Sequence, residues 1–111
     1  MENELLDIIK NLKNSAEIVY KTGDYTSATV LYFKLLFVVL DYIIFKEKGK
    51  APKDHSERFR ILQANFPSLY LILDKYYPIY RDTYSLTINK ETCNEVKENV
   101  NSIIKKYKIN V

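Results

Sequence analysis

Leu5, Ile8, Ile9, Leu12, Ala16, Val19 and Tyr20 recur at steps of three and four, while Lys10, Lys13, Asn14 and Glu17 fill the rest of the wheel. One apolar stripe of that period predicts an amphipathic helix. It is expected to stop at Gly23, where a glycine can take the left-handed backbone conformation that closes a helix. Asp24 then suits the cap of a second helix, because its carboxylate can accept the unpaired N–H groups of the first turn. From Tyr25 to Phe45 the stripe disappears and nearly every side of the wheel is apolar. Such a helix needs neighbours all round it. A small bundle supplies only some of them, so a second subunit is expected to cover part of this segment. Lys34 and Asp41 interrupt the run, and no stretch of 18 apolar residues survives. The segment is therefore expected to be a buried central helix and not a membrane span.

Gly49 and Pro52 end the second helix near Lys48, and Lys46 to Lys53 has the composition of an exposed loop. Asp54 with Glu57 three residues on predicts a capping box opening a third helix, with Phe59 and Leu62 on its inner face. Pro67 ends that helix or begins the next, a helical pattern to about Leu86 that Pro78 is expected to kink. Asn89 is placed to cap a last helix whose apolar positions are Cys93, Val96, Val100, Ile103, Ile104 and Tyr107. Four or five helices joined by short loops predict an all-α, up-and-down bundle, one domain over residues 1–111.

Composition agrees with a compact helical chain. Two Gly and three Pro leave little material for hairpin turns, and 47% hydrophobic against 28% charged residues is globular rather than disordered. The net charge of +3 comes from 14 Lys and only 3 Arg against 14 acids, less than a dedicated duplex binder concentrates on one face. Cys93 is the only cysteine, so neither an internal disulfide nor a cysteine metal cluster can form, as suits the cytoplasm. The acidic start Met1-Glu2-Asn3-Glu4 lacks the basic and apolar regions of a signal peptide.

The chemical inventory is short. There is one His, and Gly23 and Gly49 stand alone, so no phosphate-cradling glycine loop exists. No carboxylates fall at metal-ligand spacing with the histidine, and nothing near His55 in sequence suggests a nucleophile. No cofactor, metal or conventional hydrolytic site is predicted. His55, at the mouth of the third helix, either packs against the loop and helps cap it or joins Arg58 in a site facing an anion, since helix N-termini present free donors. Tyr70, Tyr77 and Tyr84 recur every seven residues, on one side with Leu73 and Tyr80 and with Arg81 beside them. This stripe is either the inner face of its helix or a platform where rings stack bases and Arg81 meets phosphate. Lys46, Lys48, Lys50 and Lys53 form one basic cluster and Lys105, Lys106 and Lys108 another, the latter placed to complement a helix C-terminus.

In their order these segments resemble the HEPN family of small prokaryotic helical-bundle domains. The resemblance lies in the aromatic second helix (Tyr25-Thr26-Ser27-Ala28-Thr29-Val30-Leu31-Tyr32-Phe33), the loop Gly49-Lys50-Ala51-Pro52-Lys53-Asp54-His55-Ser56, and the later Tyr80-Arg81-Asp82-Thr83-Tyr84. It runs over about residues 20–106. It implies a homodimer packed through bundle helices, with a cleft between the subunits used for RNA or nucleotide. Active members cut RNA with an Arg and a His separated by four to six residues. After Arg81 those positions hold Leu86, Thr87 and Ile88, and before His55 they hold Lys48, Gly49 and Lys50. The pair is missing, and with it the usual agent of acid–base cleavage near neutral pH.

Relatives lacking the pair are thought to bind nucleotides or partner proteins, often a minimal nucleotidyltransferase, in a toxin–antitoxin setting. The expectation is thus a non-catalytic binding module whose site is Arg81, Tyr84, His55 and Arg58. Two alternatives remain open. One is a purely structural or protein-interaction bundle, with Tyr77 and Tyr84 fully covered and Arg81 paired to an internal acid. The other is a metal-independent ribonuclease that brings His55 within reach of an arginine.

Overall fold

The computed structural model describes all 111 residues as five helices without a strand: α1 (Glu2–Lys21), α2 (Tyr25–Lys48), α3 (His55–Asn65), α4 (Pro67–Asp82) and α5 (Lys90–Lys106). The boundaries follow the local signals. Gly23 and Gly49 both lie in the left-handed region, at φ of 87° and 81°, and stop α1 and α2. Asp24, Asp54 and Asn89 each accept a first-turn N–H, from Ser27, Glu57 and Thr92. The capping box at α3 is offset by one residue, because Glu57 accepts from the Lys53 N–H at 3.3 Å and not from that of Asp54. Pro67 opens α4, where its missing donor costs nothing, and the helix continues through an exposed Pro78 to Asp82.

α2 is the axis of the molecule, and the other four helices pack on it. α1 runs antiparallel to it, as the Glu2–Lys46 ion pair at 3.1 Å requires. α5 runs parallel to it: Thr26 accepts from Ile88 N–H at one end, and at the other Ile43 and Ile109 line one recess. The loop 49–54 doubles back, so that α3 restarts beside the middle of α2, where Arg58 meets Asp41. α4 then descends antiparallel to α2, with Tyr80 against Phe33 and Phe37.

The core is continuous and drawn from every helix, and α2 supplies the largest share of it, with Tyr32, Phe33, Leu35, Val39, Leu40 and Ile44 wholly buried. Each such side chain contributes about 1.5–3 kcal/mol by leaving water. An 18-residue window of α2 has a mean hydropathy of 2.0, enough for a membrane span by composition alone, yet 61% of that window is buried inside the bundle. Its exposed residues are Ser27, Lys34, Lys46, Glu47 and Lys48, none of them apolar. The cover that the sequence pattern demanded is thus largely supplied by the chain's own helices. One polar atom in this core has no partner: the Tyr32 hydroxyl, whose pKa burial pushes up to about 12, so it stays protonated.

Candidate functional site

Where α3 and α4 cross the middle of α2, six aromatic rings and the Arg58–Asp41 ion pair meet. Phe37 lies at their centre. Its ring centroid is 4.8 Å from that of His55, 5.0 Å from Tyr80 and 6.2 Å from Tyr77, while the Arg58 guanidinium carbon sits 5.0 Å over it. Phe33 supports Tyr80 from below and Phe59 supports Tyr77, mostly in tilted or edge-to-face geometry, as the ring quadrupoles favour.

Arg58 is fixed on three sides. Its Nε donates to Asp41 Oδ1 at 2.6 Å and its Nη2 to Asp41 Oδ2 at 2.9 Å, a bidentate pair between side chains only 9% and 14% exposed. The remaining Nη1 donates to His55 Nδ1 at 2.5 Å. All three guanidinium nitrogens are therefore used within the chain. The residue expected to contact a ligand is a buried anchor that orients His55. With Nδ1 accepting from Arg58, a neutral imidazole carries its proton on Nε2 and offers a donor, not a base, to whatever lies beyond.

His55 is exposed overall, but partial desolvation against its aromatic neighbours holds its pKa below the ordinary value of 6.5, and the charge of Arg58 adds to this. Asp41 and Asp54 act in the opposite direction, and Lys34 weakly with Arg58. A histidine depressed on folding binds fewer protons in the folded than in the unfolded chain. The stability linked to it is present above the ordinary pKa and is lost as pH falls through the folded one. The melting temperature is expected to fall as the pH drops below the ordinary histidine pKa of 6.5, and to fall less in His55→Gln. Parallel declines in the two proteins would show that the imidazole is not strained in this way.

His55, Tyr77, Tyr80, Arg81 and Tyr84 line a recess of about 260 Å³ above this floor. Arg81 stands on the last turn of α4 and is exposed, with no carboxylate at salt-bridge distance. Tyr84, one turn further on, is 77% exposed. Its ring stands edge-on to that of Tyr80 at 5.7 Å, and the two hydroxyls lie 3.3 Å apart. This contact, then burial, raises the Tyr80 pKa to about 12, so Tyr80 stays neutral. Tyr77 is half-buried and Tyr70 leans on Phe59 below, so the tyrosine stripe is part floor and part wall.

Of the four residues singled out from sequence, the structure gathers His55, Arg81 and Tyr84 in one recess and places Arg58 beneath it. Asp41, Phe37 and Lys34 were not among them. No group of three His, Cys, Asp or Glu side chains is arranged to hold a metal ion. Cys93 is buried, which raises its pKa and leaves it a weak nucleophile. No protein-family model, curated protein or solved structure matches this chain.

Proposed function

We propose that the protein is a non-catalytic binding module for nucleotides or single-stranded RNA, with the recess between α3 and α4 as its site. One observation carries this reading: an uncovered aromatic ring, Tyr84, stands beside an unpaired cation, Arg81, at the mouth of an aromatic-walled recess without a single acid in its lining. A base finds a ring to stack on, a phosphate finds the guanidinium, and the His55 Nε2–H adds a neutral donor. A purely structural bundle was expected to cover Tyr77 and Tyr84 fully and to pair Arg81; Tyr77 is half-buried, Tyr84 is exposed and Arg81 has no carboxylate at salt-bridge distance, which favours the binding reading. The resemblance of the second helix, the His55 loop and the Arg81 segment to HEPN domains supports the same reading. The recess is lined by residues of one chain, whereas the resemblance implied a cleft between two subunits.

Cleavage is not part of the proposal. The Nδ1 lone pair a general base would use is occupied by Arg58, and the missing Arg-to-His spacing points the same way.

Titration of ATP and of labelled single-stranded RNA is expected to show salt-sensitive binding. Tyr84→Ala should weaken it by roughly 5- to 150-fold, the worth of one stacked base, and Arg81→Ala should weaken it and flatten the salt dependence. Both side chains are exposed, so the melting temperature should move only by what the Tyr80–Tyr84 ring contact contributes, about 1 kcal/mol or less. Wild-type protein that binds neither ligand even at low salt would refute the reading.

A further inference from the structure

α2 carries two charges inside its apolar run, and only one is explained by the fold. Asp41 is used by Arg58; Lys34 is exposed and has no carboxylate at salt-bridge distance. Lys34 opens onto a second recess, of about 220 Å³, lined also by Val30, Tyr80, Thr83 and Tyr84. The two recesses share the Tyr80–Tyr84 pair as a common wall, with Arg81 on one side of it and Lys34 on the other. Neither recess alone reaches the ~300 Å³ at which sites for a whole small molecule begin, but together they exceed it. No acid lines either one.

Resting on the reading above, we infer that the ligand is a single-stranded polynucleotide. Two successive nucleotides straddle the Tyr80–Tyr84 wall, and their phosphates meet Arg81 and Lys34. A chain of alternating ring and charge matches a ligand of alternating base and phosphate, and a mononucleotide would leave one cation and one recess empty. A duplex is excluded because its bases are already stacked on each other and cannot enter on either side of a tyrosine wall.

The test is a length series: mono-, di-, tetra- and octanucleotides of uridine and adenosine, as RNA and as DNA, against wild type, Lys34→Ala and Arg81→Ala. Wild-type affinity should rise roughly tenfold or more from one nucleotide to two, the scale of one added base. Lys34→Ala should remove that gain and leave mononucleotide binding unchanged, with a salt slope smaller by about 0.7. Arg81→Ala should weaken both. A preference for RNA over DNA of the same sequence would identify the 2′-hydroxyl as part of the contact. Equal affinity for one and two nucleotides, or a Lys34→Ala loss that is the same for both, overturns the two-nucleotide inference while leaving the base-and-phosphate site intact. Absence of binding at every length overturns both. Lys34 touches no partner that holds the fold, and an unchanged circular dichroism melt confirms that the variant is folded.

Discussion

Replacing Asp41 with alanine is expected to destabilise the protein by about 3–5 kcal/mol and lower its melting temperature by about 10 °C or more. The size follows from burial. An ion pair on the surface is worth at most about 1 kcal/mol, because water screens it and the long side chains lose entropy. Arg58 and Asp41 are 9% and 14% exposed, and Phe37 lies under the guanidinium. Without Asp41 the cation keeps only the His55 nitrogen and the ring face, neither of which carries a balancing charge. Arg58→Met is expected to be costly too, since it strands the carboxylate. The double variant Asp41→Ala/Arg58→Met should be destabilised by clearly less than the sum of the singles, because removing both charges removes the uncompensated one. Chemical denaturation of all four proteins measures the coupling. A loss below about 1 kcal/mol for Asp41→Ala would mean that water reaches the guanidinium, and that His55 is not anchored as described.

That pair also marks where the sequence ran out. Helix boundaries were legible because they are written locally: Gly23, Asp24, Gly49, Asp54, Pro67 and Asn89 each act on the backbone within a turn of themselves. α4 is the exception. It stops at Asp82, four residues before the helical pattern fades, and the following residues fold into a turn held by Leu86 N–H on the Asp82 carbonyl at 2.8 Å. Apolar periodicity continues through such a turn while the helix does not. The all-round apolar character of α2 was also legible, but not what covers it: a pattern on one helix says that neighbours are required, and nothing about whether they come from the same chain. The return of α3 to the middle of α2 supplies part of that cover through a loop whose path the sequence does not encode in any local signal.

Of the candidate site, the exposed half could be read and the buried half could not. Arg81 and Tyr84 stood out as a lone guanidinium beside a tyrosine stripe. Arg58 drew notice by its proximity to His55, but a residue on the same helix turn can face the recess or the core, and Asp41 decides for the core. The signal was available. An acid inside an otherwise apolar helix must find a cation, and with only 3 Arg in the chain the candidates were few. Lys34 posed the same question and has no such answer in the fold.

Phe37→Ala is the second variant with a large expected effect, and it separates the site from the core. Removing a ring that is 5% exposed should cost about 3–5 kcal/mol, partly from lost transfer energy and partly from the cavity left under Arg58, His55 and the two tyrosines. Loss of that size alone would not connect Phe37 to binding. Leu40→Ala, in the same helix and wholly buried, should cost a comparable 2–5 kcal/mol without touching the recess lining. Measured well below both melting transitions, Leu40→Ala should bind single-stranded RNA as the wild type does and Phe37→Ala should not. Phe37→Leu sharpens the contrast. It keeps most of the apolar volume and should cost no more than about 2 kcal/mol, but it removes the edge-to-face contacts that set the planes of His55 and Tyr80, each worth about 0.5–1.5 kcal/mol. Affinity should therefore fall several-fold in a protein that remains folded. If Phe37→Leu binds as tightly as wild type, the rings are held by backbone position alone. Phe37 would then be a core residue that happens to lie beneath a site it does not shape.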